Sequence, residues 1–131
     1  MKPSPSHKIL IVDDEAIVRE ILVEFLEVLG YQADQLEDGA SGLKAMNSGN
    51  YTIAFADIRM PGIDGIEFVK CLKKNRPEIP VIIITGHGTE DTCKEAMDAG
   101  AFAFFQKPFH FIEIKEVMEN IKLLPHFDST I

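Results

Sequence analysis

Residues 51–65 read Tyr51-Thr52-Ile53-Ala54-Phe55-Ala56-Asp57-Ile58-Arg59-Met60-Pro61-Gly62-Ile63-Asp64-Gly65. The stretch begins as a short apolar run, the pattern of a fully buried strand, and the run ends on an aspartate. A Pro-Gly loop follows at once, then a helical pattern. A carboxylate at the C-terminal lip of a central strand lies where open α/β sheets bind their ligands. Taken alone, Asp57 reads equally well as a helix cap. Polar groups at other strand ends decide between the two.

Working outward, Lys8-Ile9-Leu10-Ile11-Val12 is a β-branched apolar run that stops at Asp13-Asp14-Glu15, a second buried parallel strand. Ala16 to Leu29 places Ile17, Ile21, Leu22, Phe25, Leu26 and Leu29 at helical spacing, closed by Gly30. Glu15 is read as favouring the N-terminus of that helix. Residues 31–36 are less apolar and predict an edge strand. Asp38-Gly39 then turns the chain into a short helix, Ala40 to Met46, which ends around Gly49-Asn50.

On the other side of the opening stretch, Asp64 caps a helix whose Ile66, Val69 and Leu72 share a face, and Arg76-Pro77 stops it. Residues 80–85, Pro80 to Thr85, predict a buried strand with proline at its entry. Gly86-His87-Gly88 is a flexible loop before a helix from Glu90 to Ala99, closed by Gly100. Ala101 to Lys107 is the fifth strand, and Pro108 is expected to open a last helix running to about Leu124. Pro125 and a short polar tail follow. Five β–α units in alternation predict an α/β fold, a doubly wound five-stranded parallel sheet with helices on both faces. The chain holds no repeat and no dividing linker, so one domain with its core at about 8–124 is expected.

At 131 residues the chain can bury one good core, and its composition, 46% apolar and 26% charged, is that of a globular domain. The formal net charge of −8 predicts repulsion from nucleic acid and from anionic membranes. Residues 1–7 lack the apolar core of a secretory signal and no run reaches membrane-spanning length, so a cytoplasmic protein is expected. Cys71 and Cys93 fall at apolar positions of helices and are expected as buried, reduced thiols. His7, His110 and His126 show no ligand spacing, and His87 is read as a solvated loop residue.

Parallel strands point their C-terminal ends to one edge, and four of them deliver polar residues there: Asp13 and Asp14, Asp57, Thr85, and Lys107. Clustered carboxylates repel, by roughly 4 kcal/mol for a pair at about 4 Å in a medium of dielectric about 20, and such clusters persist when a cation neutralises them. Oxygen-only ligands favour a hard ion, Mg²⁺ or Mn²⁺. Lys107 and Thr85 add a cation and a hydroxyl for phosphoryl oxygens, and phosphoryl transfer asks chiefly for positioning and charge neutralisation. No Ser, Cys or His nucleophile belongs to the set, so the nucleophile is a carboxylate that forms an acyl phosphate, with Asp57 the best placed.

Five motifs in register carry a resemblance to a family: Val12-Asp13-Asp14-Glu15; Asp57-Ile58-Arg59-Met60-Pro61 with Gly62; Asp64-Gly65; Ile84-Thr85-Gly86; and Gly100-Ala101 leading to Lys107-Pro108-Phe109. From about Lys8 to Leu124 the chain resembles the receiver domains of bacterial two-component response regulators. The resemblance implies a flavodoxin-like three-layer sandwich of strand order 2-1-3-4-5 and a phosphoacceptor at Asp57. It implies Mg²⁺ held by Asp14, Asp57 and the backbone carbonyl of Arg59, with Asp13 acting mainly through water. It further implies Lys107 on the phosphoryl group, a cis bond before Pro108, and a switch pair of Thr85 and Phe104.

The implied phosphodonor is a histidine kinase or histidine phosphotransfer protein, and the domain catalyses its own phosphorylation and dephosphorylation without being an enzyme in the usual sense. Its implied output face, formed by the fourth helix, fifth strand and fifth helix, meets an effector domain or a second copy. No effector domain is expected within the chain itself.

Two alternatives stand beside this reading. A flavodoxin needs a phosphate cradle after the first strand, where this chain has Asp13-Asp14-Glu15. A phosphatase of the haloacid-dehalogenase type opens an Asp-x-Asp pattern there, which this chain lacks.

Overall fold

The computed structural model describes residues 8–125 and 127; His7 and His126, weighed above as possible ligands, lie outside them. Among the described residues ten elements alternate: β1 (Lys8–Val12), α1 (Ala16–Val28), β2 (Gln32–Leu36), α2 (Gly39–Ser48), β3 (Tyr51–Ala56), α3 (Gly65–Asn75), β4 (Val81–Thr85), α4 (Glu90–Ala99), β5 (Ala103–Gln106) and α5 (Phe111–Lys122). The strands form one parallel sheet in the order β2-β1-β3-β4-β5, as the resemblance implied.

Alternation along each strand sends side chains to two cores. Ile9, Ile11, Ile53, Phe55, Ile82 and Ile84 pack with Leu22 and Leu26 of α1 and with Ile114, Met118 and Ile121 of α5. Leu10, Val12, Ala54, Ala56, Val81 and Ile83 face Met46, Phe68, Val69, Leu72 and Ala96 of α2, α3 and α4. The three central strands are covered on both faces, which is why they read as continuous apolar runs. β2, whose residues are exposed or half-buried throughout, is an edge.

Local chemistry sets several ends. The Asp64 carboxylate accepts from the Glu67 N–H at 2.9 Å, capping α3 as expected. Asp38 does the same for α2 through Ser41, at 2.8 Å, so that helix starts one residue earlier and runs two further than the sequence suggests. Thr89 and Thr92 cap α4 reciprocally. Gly100 takes φ 114°, the left-handed conformation that ends a helix.

Four expectations need correction. Pro108 does not open the last helix: α5 starts at Phe111, its entry satisfied by the Glu113 carboxylate accepting from the His110 N–H at 2.8 Å. β5 covers only Ala103–Gln106, because the sheet's partner strand β4 ends at Thr85 and leaves Lys107 beyond the ladder. Ile17 and Ile21 of α1 lie outside the core, 66% and 39% exposed; helical spacing marks an apolar face but cannot say how much of it a neighbour covers. Cys71 and Cys93 are free thiols but only half-buried, the Cys71 Sγ lying 3.5 Å from the Glu67 carboxylate.

Candidate functional site

The register of the sheet builds the site. Val12 and Ala56 are partners across β1 and β3, so the next residues, Asp13 and Asp57, emerge side by side, tied by an Asp57 N–H to Val12 carbonyl bond of 3.1 Å. Thr85 ends β4 opposite Gln106 of β5, and the Lys107 N–H donates to the Thr85 carbonyl at 2.8 Å. Asp13, Asp57 and Thr85 are buried, while Asp14 is exposed at the rim.

Lys107 reaches back over this edge. Its Nζ stands 2.9 Å from Asp57 Oδ2, 3.1 Å from Asp13 Oδ2 and 2.6 Å from Glu15 Oε1. Asp57 Oδ1 also accepts from the Arg59 N–H at 3.3 Å. Asp13 Oδ1 accepts from the Glu15 N–H at 2.9 Å, which folds the acidic turn onto itself. Burial pushes the Asp13 carboxyl up to about 6; the Glu15 N–H works against this, and the Asp57 charge adds to it. Burial alone would lower the Lys107 ammonium's affinity for its proton. Hydrogen bonds to Glu15, Asp57 and Asp13 outweigh it and hold the group above its ordinary range.

Backbone fit is as tight as the charge network. The Gly65 N–H donates to the Ile58 carbonyl at 2.8 Å, and a Cβ at position 65 would lie 2.2 Å from the Asp57 carbonyl oxygen. Only glycine lets the start of α3 close against the end of β3. The Lys107–Pro108 bond is cis.

All five polar positions read from strand ends are brought to this edge. The Thr85 hydroxyl accepts from the His87 N–H at 3.1 Å. Phe104, two residues before the end of β5, packs half-buried against the α2–α3–α4 core. The side chains of Arg59 and His87, two residues beyond Asp57 and Thr85, are exposed.

Two residues were missed. Glu15 does more than favour a helix terminus: its side chain caps nothing and pairs with Lys107. Arg19, on α1, donates from Nη1 to the Asp13 carbonyl at 2.7 Å and from Nε to Gln35 at 3.0 Å, fastening the acidic turn to β2. Glu15 could have been suspected from its place directly after the first strand's acidic end. Arg19 carries no signal beyond a charge on a helix.

A carboxylate oxygen from each of Asp13, Asp14 and Asp57 lies within 4.8 Å of the others. An all-oxygen set of this kind suits a hard divalent cation, and the two buried members have reason to hold one. Asp14, Glu37 and Asp38 line an open depression beside it with Ala40, Pro61 and Gly62.

Comparison with known proteins agrees with this geometry. A model of the response regulator receiver domain matches residues 9–119, and the chain belongs to that family. It is a receiver domain of the two-component type, a class that binds Mg²⁺ at its aspartate cluster and works with histidine kinases and output domains.

Sporulation initiation phosphotransferase F of Bacillus subtilis is 37% identical over 120 residues, 92% of this chain and 95% of that protein. The transcriptional regulatory protein FixJ of Bradyrhizobium diazoefficiens is 34% identical over 112 residues, 86% of this chain. This chain spans 55% of FixJ, and only 24% of the DNA-binding transcriptional regulator NtrC of Escherichia coli, to which it is 36% identical. Among solved structures, a CheY-like receiver domain protein from Methanospirillum hungatei superposes with a TM-score of 0.82 at 27% identity, covering 87% of this chain and 91% of that one. A receiver domain from Clostridium thermocellum gives 0.81 at 30%, covering 88% and 93%.

Proposed function

We propose that residues 1–131 act as one receiver domain, core 8–124, whose Asp57 takes a phosphoryl group from a phosphohistidine on a histidine kinase or phosphotransfer protein. An Asp57 carboxylate oxygen attacks phosphorus, the phosphorus–nitrogen bond breaks, and the imidazole leaves with the electron pair and takes up a proton. Asp14, Asp57 and the Arg59 backbone carbonyl would hold Mg²⁺ or Mn²⁺, with Asp13 acting mainly through water. Bound there, the cation offsets the charge that gathers on the carboxylates and phosphoryl oxygens.

Lys107 offers its ammonium to a phosphoryl oxygen, and the Thr85 hydroxyl offers a further donor. The domain thereby promotes its own phosphorylation and the later hydrolysis. The face of α4, β5 and α5 passes the change, through Thr85 and Phe104, to an output domain, a partner or a second copy. The setting is cytoplasmic, consistent with the absence, among the described residues, of a helix long and apolar enough to cross a membrane.

The observation that carries this reading is the buried Asp57 carboxylate, 2.9 Å from the Lys107 ammonium and within one cluster with Asp13 and Asp14. Acetyl phosphate with Mg²⁺ should label the wild-type chain and leave Asp57→Asn unlabelled, as read by mass spectrometry. Equal labelling of both, or labelling in chelator, would reject the assignment.

A further inference from the structure

An ammonium has three N–H donors, and three carboxylates surround the one on Lys107: Asp13 at 3.1 Å, Asp57 at 2.9 Å and Glu15 at 2.6 Å. Glu15 and Asp57 accept hydrogen bonds from it, and Asp13 pairs with it as an ion. If Asp57 carries a phosphoryl group, its own charge passes to the new oxygens, and Lys107 must turn toward them while Glu15 and Asp13 still pull on it.

The three partners are not equivalent. The Asp13 and Asp57 side chains are each 3% exposed, so stripping the cation from Asp13 would strand a buried charge. The Glu15 side chain is 56% exposed and regains water at little cost. It also has no cap bond to α1 that would hold it in place.

We propose that Glu15 is a built-in competitor for Lys107, a residue that sets how readily Asp57 is loaded. It holds the ammonium in the unmodified domain and is the partner released when a phosphoryl group arrives. Each loading event therefore breaks the Glu15–Lys107 pair, which weakens the hold on the phosphoryl group by the worth of that pair. The proposal rests on the reading of Asp57 and Lys107 given above.

Beryllofluoride, a phosphoryl mimic, tests it. The chain has no tryptophan, so ¹⁹F NMR of the bound fluorides in saturating Mg²⁺ is the suitable measure of affinity. Glu15→Gln, of the same shape but uncharged, should bind the mimic roughly three- to tenfold more tightly than wild type, the scale expected for one partly exposed ion pair. Glu15→Asp keeps the charge but withdraws the carboxylate from Lys107, and it should tighten binding as well.

Unchanged or weaker binding by Glu15→Gln overturns the proposal and leaves the Asp57 reading standing. Tightening by Glu15→Gln alone, with Glu15→Asp like wild type, also overturns it, because simple repulsion of the anionic mimic would then be the cause. Failure of the wild-type chain to bind the mimic removes both readings.

Discussion

Gly88 abuts the ring of Phe104: a Cβ at position 88 would come within 2.9 Å of two of its ring carbons. The loop that leads from Thr85 into α4 is thus seated on the aromatic side chain of β5. The Gln106 side-chain amide adds a 3.0 Å hydrogen bond to the Gly88 carbonyl. If phosphorylation draws Thr85 inward, as proposed above, this contact gives the pull a route to the Phe104 ring. Burying a phenylalanine is worth roughly 1.5–3 kcal/mol, enough to bias two states without locking either. Structures with and without beryllofluoride should therefore differ in the Phe104 rotamer and in the position of α4. An identical ring and an unmoved helix would leave the switch without support. Gly88→Ala should disturb the same contact and destabilise the resting domain by about 1–3 kcal/mol in urea denaturation.

The acidic cluster and the lysine should separate cleanly by metal titration. Asp14→Ala is expected to lose most Mg²⁺ affinity, since it removes the exposed member of the three-carboxylate group. Lys107→Ala should retain or gain affinity, because an ammonium cannot ligate a cation and its charge opposes one. Calorimetry on both variants checks the division, and a Lys107→Ala chain that loses Mg²⁺ would contradict it.

Asp13 predicts a pH dependence of stability in the metal-free protein. Its carboxyl titrates near 3.8 when unfolded and near 6 when folded, raised by burial. Below the lower value both states hold the proton. Between the two values the folded state holds a proton that the unfolded state has released, so stability falls as pH rises through that window. Urea denaturation in chelator should show wild type losing roughly 2 kcal/mol more than Asp13→Asn between about pH 4 and about pH 7. Added Mg²⁺ should shrink that difference by stabilising the ionised form.

Gly65 should tolerate no side chain. A Cβ there would overlap the Asp57 carbonyl at 2.2 Å, and backbone cannot swing aside as a side-chain tip can. Gly65→Ala is expected to cost about 3 kcal/mol or more and to lower the yield of acetyl-phosphate labelling, because α3 would be driven off the acceptor strand. A variant with wild-type urea midpoint would show that the close approach is not needed.

Much of this was written in the chain. Apolar runs that stop at Asp13, Asp57 and Thr85 announce parallel strands, and parallel strands bring their last residues to one edge whatever the detailed packing. Asp64 as a helix cap and Gly100 as a helix end were likewise legible, because each satisfies its own neighbours in sequence. What the sequence could not decide was who meets whom across distance. Glu15 reads as a helix-start residue, yet its partner Lys107 is 92 positions away. Arg19, unremarkable in the sequence, fastens the Asp13 carbonyl to Gln35 of the edge strand. Ile17 reads as core because helical period marks a face, while the seating of α1 on the sheet and against α5 decides how much of that face is covered. Local hydrogen bonding and hydrophobic period are properties of short segments; the sharing of one ammonium among three carboxylates is a property of the closed sheet alone.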